Sequence, residues 1–154
     1  MNTTTTDTAE VLNDLLRINI DRIEGYEKAA SQTKDEDADL RTMFMSMAEQ
    51  SQSIASELRR HLSLTDEEPV KSSTAAGKLY RTWMDLKVVF TGKDRKAILE
   101  SCEFGEDAAQ KAYQSALEDS GDLPANVRAM LIDQQQGLKQ SHDQVRNLRN
   151  LEKK

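Results

Sequence analysis

Apolar side chains return every three or four positions along most of this chain, the spacing that lines one face of an α-helix and not of a strand. Leu12, Leu15, Leu16, Ile23, Tyr26 and Ala30 form one such stripe, and Leu40, Met43, Phe44, Met47, Ile54, Leu58 and Leu62 form a second. A third runs through Leu99, Cys102, Ala109, Tyr113 and Ala116, and a fourth through Val127, Leu131, Leu138, Val145 and Leu148. The stripes predict helices over about 8–32, 36–63, 95–120 and 124–152.

The chemistry at the stripe ends agrees with these spans. Asp7 and Glu10 have capping-box spacing, and Asp35, Glu36, Asp37 and Asp39 set negative charge against the positive end of the second helix dipole. Thr65 and Pro69 break that helix, Asp94 is a candidate cap for the third stripe, and Gly121 lies past its end. Asp122 and Pro124 open the last helix, which closes on Arg146, Arg149, Lys153 and Lys154. Residues 1–6 hold a threonine run without an apolar anchor and read as a disordered tail, which leaves 7–154 as a single domain.

Between the second and third stripes lies a segment that an up-and-down bundle does not require. Leu79, Trp83, Leu86 and Phe90 share one face of a helix predicted over about 73–90, which stops before Gly92. At 1.5 Å per residue such a helix is about 27 Å long, enough to carry the chain from one end of a bundle to the other. We read it as a helical crossover.

A shift of 87 residues aligns Leu12 with Leu99, Tyr26 with Tyr113, Ala29 with Ala116, Asp35 with Asp122, Arg41 with Arg128, Met43 with Met130 and Arg59 with Arg146. One ungapped shift superposes both helices and the intervening turn of each half, as two copies of a helical hairpin require. Two amphipathic helix pairs can also match this well by composition alone. Two antiparallel hairpins joined by a long connection is the connectivity of ferritin-like bundles. The expected fold is therefore an all-α, ferritin-like four-helix bundle with an additional helix in its crossover.

Composition narrows the classes of function. The chain has 154 residues, a formal charge of −6 and a single cysteine, Cys102. Its acidity, with a pI near 5.0, disfavours nucleic acid and anionic membranes, which reward clustered Lys and Arg. No signal-like or membrane-spanning stretch is present, so the expected location is the cytoplasm. Glu100, Glu103 and Glu106 flank Cys102 and would raise its pKa, which reads as a core residue and not a reactive thiol. No phosphate-cradling loop, nucleophile elbow or zinc-protease motif occurs.

Four stretches together carry a resemblance: Glu24-Gly25-Tyr26, the crossover block from Leu79 to Lys87, the run from Cys102 to Ala109, and His142-Asp143. They resemble an uncharacterised bacterial ferritin-like four-helix-bundle family, a domain of unknown function. The resemblance implies a fold and supplies no activity.

Ferritin-like di-iron and di-manganese proteins take a Glu from each of two helices and a Glu-x-x-His pair from each of the other two. In the fourth bundle helix His142 is present, but Lys139 stands where the Glu belongs, and the repeat maps this pair onto Gln52 and Ala55. Glu106 falls on the third stripe, and the repeat maps it onto Asn19. Only Glu106 and His142 of these six positions keep a strong ligand, whereas a divalent pair relies on several carboxylates. Such a Glu is ordinarily a hydrogen-bonded structural residue.

The expected function is association, with a second copy or another protein, in a frame whose metal centre is degenerate. A symmetric homodimer is the simplest assembly, and no catalytic residue, cofactor or metal is expected. The competing reading is an Fe or Mn carboxylate protein, an oxidase or metal store, with Glu106, His142, Glu103, Glu24 and Glu49 as its candidate ligands.

Overall fold

The computed structural model describes residues 3–64, 95–119 and 123–152. Every regular element among them is helical: α1 (Thr3–Gln32), a single 3-10 turn (Asp35–Asp37), α2 (Ala38–Leu62), α3 (Arg95–Asp119) and α4 (Ala125–Leu151). The last three helices agree with the predicted spans to within two residues at each end. The predicted 73–90 helix, with Leu79, Trp83, Leu86 and Phe90, lies outside the described residues, as do Asp94, Gly121 and Asp122.

At the N-terminus the structure differs from the pattern. The helix begins at Thr3, inside the stretch expected to be a disordered tail, so Asp7 is an interior helical residue and not the N-cap position. Extending a helix that is already nucleated costs little, because each added threonine is disfavoured relative to alanine by only about 0.7 kcal/mol or less.

Nearly all of the predicted stripe is buried, with only Ile23, Ala116 and Leu148 partly exposed. The turn between α1 and α2 is tight. Arg41 donates from Nη2 to the Thr33 carbonyl at 2.6 Å and to Asp35 at 3.3 Å, which pins the acidic 3-10 turn against the start of α2. At the other end of α2 the Ser63 amide donates to the Arg59 carbonyl at 3.0 Å and closes the last turn.

Contacts between the hairpins fix the direction of each helix. Asn19 meets Tyr113 while Arg22 meets Glu106, so residue numbers rise on α1 as they fall on α3, and these helices are antiparallel. Gln50 meets Gly137 while Glu57 meets Gln134, which makes α2 and α4 antiparallel as well. It follows that α2 and α3 run the same way, and Arg95 at the start of α3 bonds Asp37 and Asp39 at the start of α2. Leu62 and Arg95 therefore lie at opposite ends of the bundle, an arrangement that no tight turn can serve. Helices pack most closely within each hairpin, and the hairpins meet at wider spacing.

The 87-residue repeat is visible in these contacts. Gln50 and Gly137 are repeat equivalents, and the Gln50 Nε2 to Gly137 carbonyl bond at 3.0 Å joins them directly. Gly137 suits this place because a Cβ there would come within 3.3 Å of the Gln50 amide nitrogen. The Asn19–Tyr113 contact maps under the shift onto Glu106 and Tyr26, and Glu106 lies beside the Tyr26 hydroxyl. The core is divided in two. One apolar cluster holds Tyr26, Phe44, Met47, Leu99 and Val145, the other holds Leu12, Leu16, Leu58, Leu131 and Leu138, and a polar layer separates them.

Candidate functional site

The polar layer begins on α1. Counting along its inward stripe from Leu15 and Leu16 gives Asn19, then Arg22 and Ile23, then Tyr26, and helical geometry carries Asn19 and Arg22 into the interior with their apolar neighbours. Both are fully buried. Stripping water from a guanidinium is costly, and the cost is offset only by a counter-charge and by hydrogen bonds to its donors.

Arg22 has both. Its Nε donates to Glu106 Oε2 at 2.7 Å and its Nη2 to Glu106 Oε1 at 2.8 Å, a parallel two-bond pairing of guanidinium and carboxylate. Nη1 donates to the Met47 carbonyl at 3.1 Å and to Ser51 Oγ at 2.8 Å. The guanidinium carbon also sits 5.2 Å from the Tyr26 ring centroid, over its face, and Tyr26 in turn stacks on Phe44. Burial alone would pull the Arg22 pKa down, but the charge and hydrogen bonds of Glu106 more than reverse this and raise it.

From Ser51 the bonds continue across the bundle. Ser51 Oγ donates to Asn19 Oδ1 at 2.9 Å, and Asn19 Nδ2 donates to the Leu15 carbonyl at 2.8 Å and to the Tyr113 hydroxyl at 3.1 Å. Tyr113 donates to Gln134 Oε1 at 2.8 Å, and Gln134 Nε2 reaches Glu57 Oε1 at 3.2 Å, at the edge of α2. One chain of polar contacts thus touches all four helices. Burial, and then the nearby Glu106 carboxylate, push the Tyr26 hydroxyl and the Cys102 thiol well above their usual ranges. Cys102 is therefore a neutral, fully buried thiol, in line with the expectation that it is a core residue.

The sequence-predicted ligand candidates are not brought together. Glu106 does face the interior, but both of its oxygens are engaged by Arg22. His142 lies at the α3–α4 edge, where one ring nitrogen contacts Asp107 at 2.5 Å and the other Asp143 at 3.2 Å. Glu103 pairs with Arg149 at 2.8 Å, and Glu24 and Glu49 are exposed. Lys139 is exposed and bonds Asp143 at 2.9 Å, Gln52 is exposed and bonds Glu27, and Ala55 is buried in the core. On α4 the inward positions are Gln134, Leu138 and Ser141, so the 139/142 pair does not point into the bundle.

Arg22 is not a metal-ligand type, so ligand chemistry, which singles out carboxylates and histidines, does not point to it. The signal was present: an arginine three residues after Asn19 and four before Tyr26 sits on the stripe itself, where a charge needs a partner. Ser51 and Gln134 gave no comparable signal, since short and amide side chains are ordinary on helices.

No curated protein matches the chain. Residues 7–119 match a family model described as Domain of unknown function (DUF2383), a span that contains Asn19, Arg22, Ser51, Glu106 and Tyr113 and leaves out α4. Because that match covers well over half of its length, the chain belongs to the DUF2383 family of unknown function.

Proposed function

We propose that the protein is a ferritin-like bundle that acts by association, with a second copy of itself in the first instance, and that Arg22 and Glu106 occupy the place where such a frame holds its metal pair. Arg22 is the observation that carries this reading. A di-metal centre draws inward carboxylates toward cations in the middle of four helices, and here the cation facing the inward carboxylate Glu106 is a guanidinium. An ion at that point would have to displace Arg22 from both oxygens of Glu106 and leave it buried without a counter-charge. Among the described residues no group of three His, Cys, Asp or Glu side chains could hold a metal ion. The ferritin-like assignment is supported by the parallel course of α2 and α3 between two antiparallel hairpins.

Support for association comes from the outside of the bundle. Phe104 is 65% exposed, and Met45, Leu64, Ile132 and Leu151 are exposed as well. Of these, Phe and Met are residue types enriched where a surface meets a partner. No helix of the described residues is long and apolar enough to cross a membrane.

Light scattering at high micromolar concentration, combined with Fe and Mn analysis after growth in supplemented medium, tests both halves. The expected result is a multiple of the 17.4 kDa chain mass without a stoichiometric metal pair. A strictly monomeric mass would end the self-association reading. Two ions per chain, lost together in Glu106→Ala and His142→Ala, would replace it with an oxidase or metal store.

A further inference from the structure

The two hairpins share a fold but differ at the centre. Under the 87-residue shift Glu106 corresponds to Asn19, and Arg22 corresponds to Ala109. The bidentate ion pair of the polar layer thus spans the hairpins, its cation Arg22 on the first and its carboxylate Glu106 on the second, while a further buried carboxylate, Asp21, lies beside Arg22 on α1. Pseudo-symmetry of this kind creates a hazard, because a hairpin that accepts its repeat equivalent can also accept a second copy of itself. Two chains could then associate like with like, first hairpin on first and second on second.

We infer that the Arg22–Glu106 pair decides which hairpin pairs with which. In a like-with-like pairing of two first hairpins, each Arg22 would meet Asn19 of the other copy where Glu106 now stands. Ser51 and the Met47 carbonyl would still accept its hydrogen bonds, since both belong to the first hairpin, but each buried guanidinium would lose the carboxylate that pairs with two of its nitrogens. Two second hairpins would bury two Glu106 carboxylates, each facing Ala109 of the other copy. Both wrong pairings fail for the same reason, and only the unlike pairing neutralises the layer. A buried pair of this kind adds little net stability over an apolar pair of similar volume, whereas leaving either partner alone is heavily penalised, so its main effect is on the choice between pairings. The inference stands apart from the self-association reading, because it concerns which hairpins form a bundle and not whether intact bundles meet.

The pseudo-axis supplies the test. Gln50 now faces Gly137, its repeat equivalent, and in a like-with-like pairing it would face Gln50 of the second copy. Full-length chains carrying Gln50→Cys are treated with a short bis-maleimide, and the same chains without that change report any reaction at Cys102, which is fully buried. With Arg22 and Glu106 in place, no bridge through position 50 is expected. In Arg22→Met/Glu106→Leu, bridged two-chain product should rise by about a hundredfold or more, because the penalty on the wrong pairings is gone. A folded, helical double variant that gives no more bridged product than its parent would overturn the inference.

If that double variant does not fold, a second experiment decides. Arg22→Glu and Glu106→Arg chains each place like charges in the layer when alone, but the first hairpin of one complements the second hairpin of the other. Refolding an equal mixture should give a two-chain species that neither variant forms alone. A mixture that behaves as the sum of its parts would overturn the inference.

Discussion

Two cation–carboxylate clusters tie the first hairpin to the second, and they sit in opposite surroundings. Arg22 and Glu106 are each 1% exposed, in the layer between the two halves of the core. Arg95 gathers Asp37 at 2.9 Å, Asp39 at 2.6 Å and Glu152 at 3.2 Å at one end of the bundle, where all four groups keep contact with water. By count of carboxylates the end cluster is the richer. By consequence it should be the weaker, since water screens the attraction and also solvates whatever a mutation leaves behind. Inside the bundle nothing replaces a lost partner. The contrast shows that the worth of an ion pair is set less by its distances than by what its members would do apart.

The largest effect is therefore expected in the core. Arg22→Ala leaves the Glu106 carboxylate buried without its counter-charge and should cost about 3–5 kcal/mol in chemical denaturation. Ser51 and the Met47 carbonyl lose a donor in the same step. A loss below about 1 kcal/mol would mean that water reaches the layer and would erase the distinction between the two clusters.

An intermediate effect should appear in alkali, and again only through the core. Burial is the leading cause that raises the Cys102 thiol above its ordinary 9.0 and the Tyr26 and Tyr113 hydroxyls above their ordinary 10.0. For each group the fold favours the protonated form, so the unfolded chain releases its proton first as pH rises. The stability they contribute is whole below about pH 9 and drains away as pH climbs through and beyond the unfolded values. Thermal melts between about pH 8 and 10.5 should show a falling midpoint, with a shallower fall in Cys102→Ala. Tyr113→Phe should flatten the curve too, after an initial loss of about 1 kcal/mol for its bonds to Asn19 and Gln134. A midpoint that ignores pH over this range would show that these groups ionise as freely in the fold as outside it.

The same division between inside and outside explains what could be read in the sequence. Helix type and span were legible because burial writes a 3.6-residue period into the chain, and Leu40 through Leu62 or Val127 through Val145 state it plainly. The inward face of Glu106 was legible for the same reason. Its partner was less so, because periodicity says that Arg22 points inward but not which helix, 84 residues away, supplies the carboxylate. His142 was a candidate ligand only under the competing metal reading. It was placed by analogy with an i, i+3 ligand pair, and the stripe runs through Leu138, Ser141 and Val145 instead, which turns His142 to the α3 edge beside Asp107. The start of α1 was missed because helix extension through Thr3 rests on the helix already formed and leaves no apolar mark.

The smallest effect should come from the cluster with the most carboxylates. Asp39 has its carboxyl held below the ordinary 3.8, first by its hydrogen bond from Arg95, and the Arg95 pKa is raised chiefly by that same bond. A depressed carboxyl contributes stability that is present above about 3.8 and is lost as pH falls through the lower, folded value. Arg95→Ala should accordingly cost about 1 kcal/mol or less at neutral pH, with the difference from the parent shrinking toward zero in molar salt and again in acid. Screening should leave Arg22→Ala almost as damaging in salt as without it, since ions do not enter the layer. Denaturation of both variants at about 0.05 and 1 M NaCl makes the comparison direct. If the Arg95 loss persisted in salt while the Arg22 loss vanished, the assignment of the two clusters to surface and core energetics would be reversed.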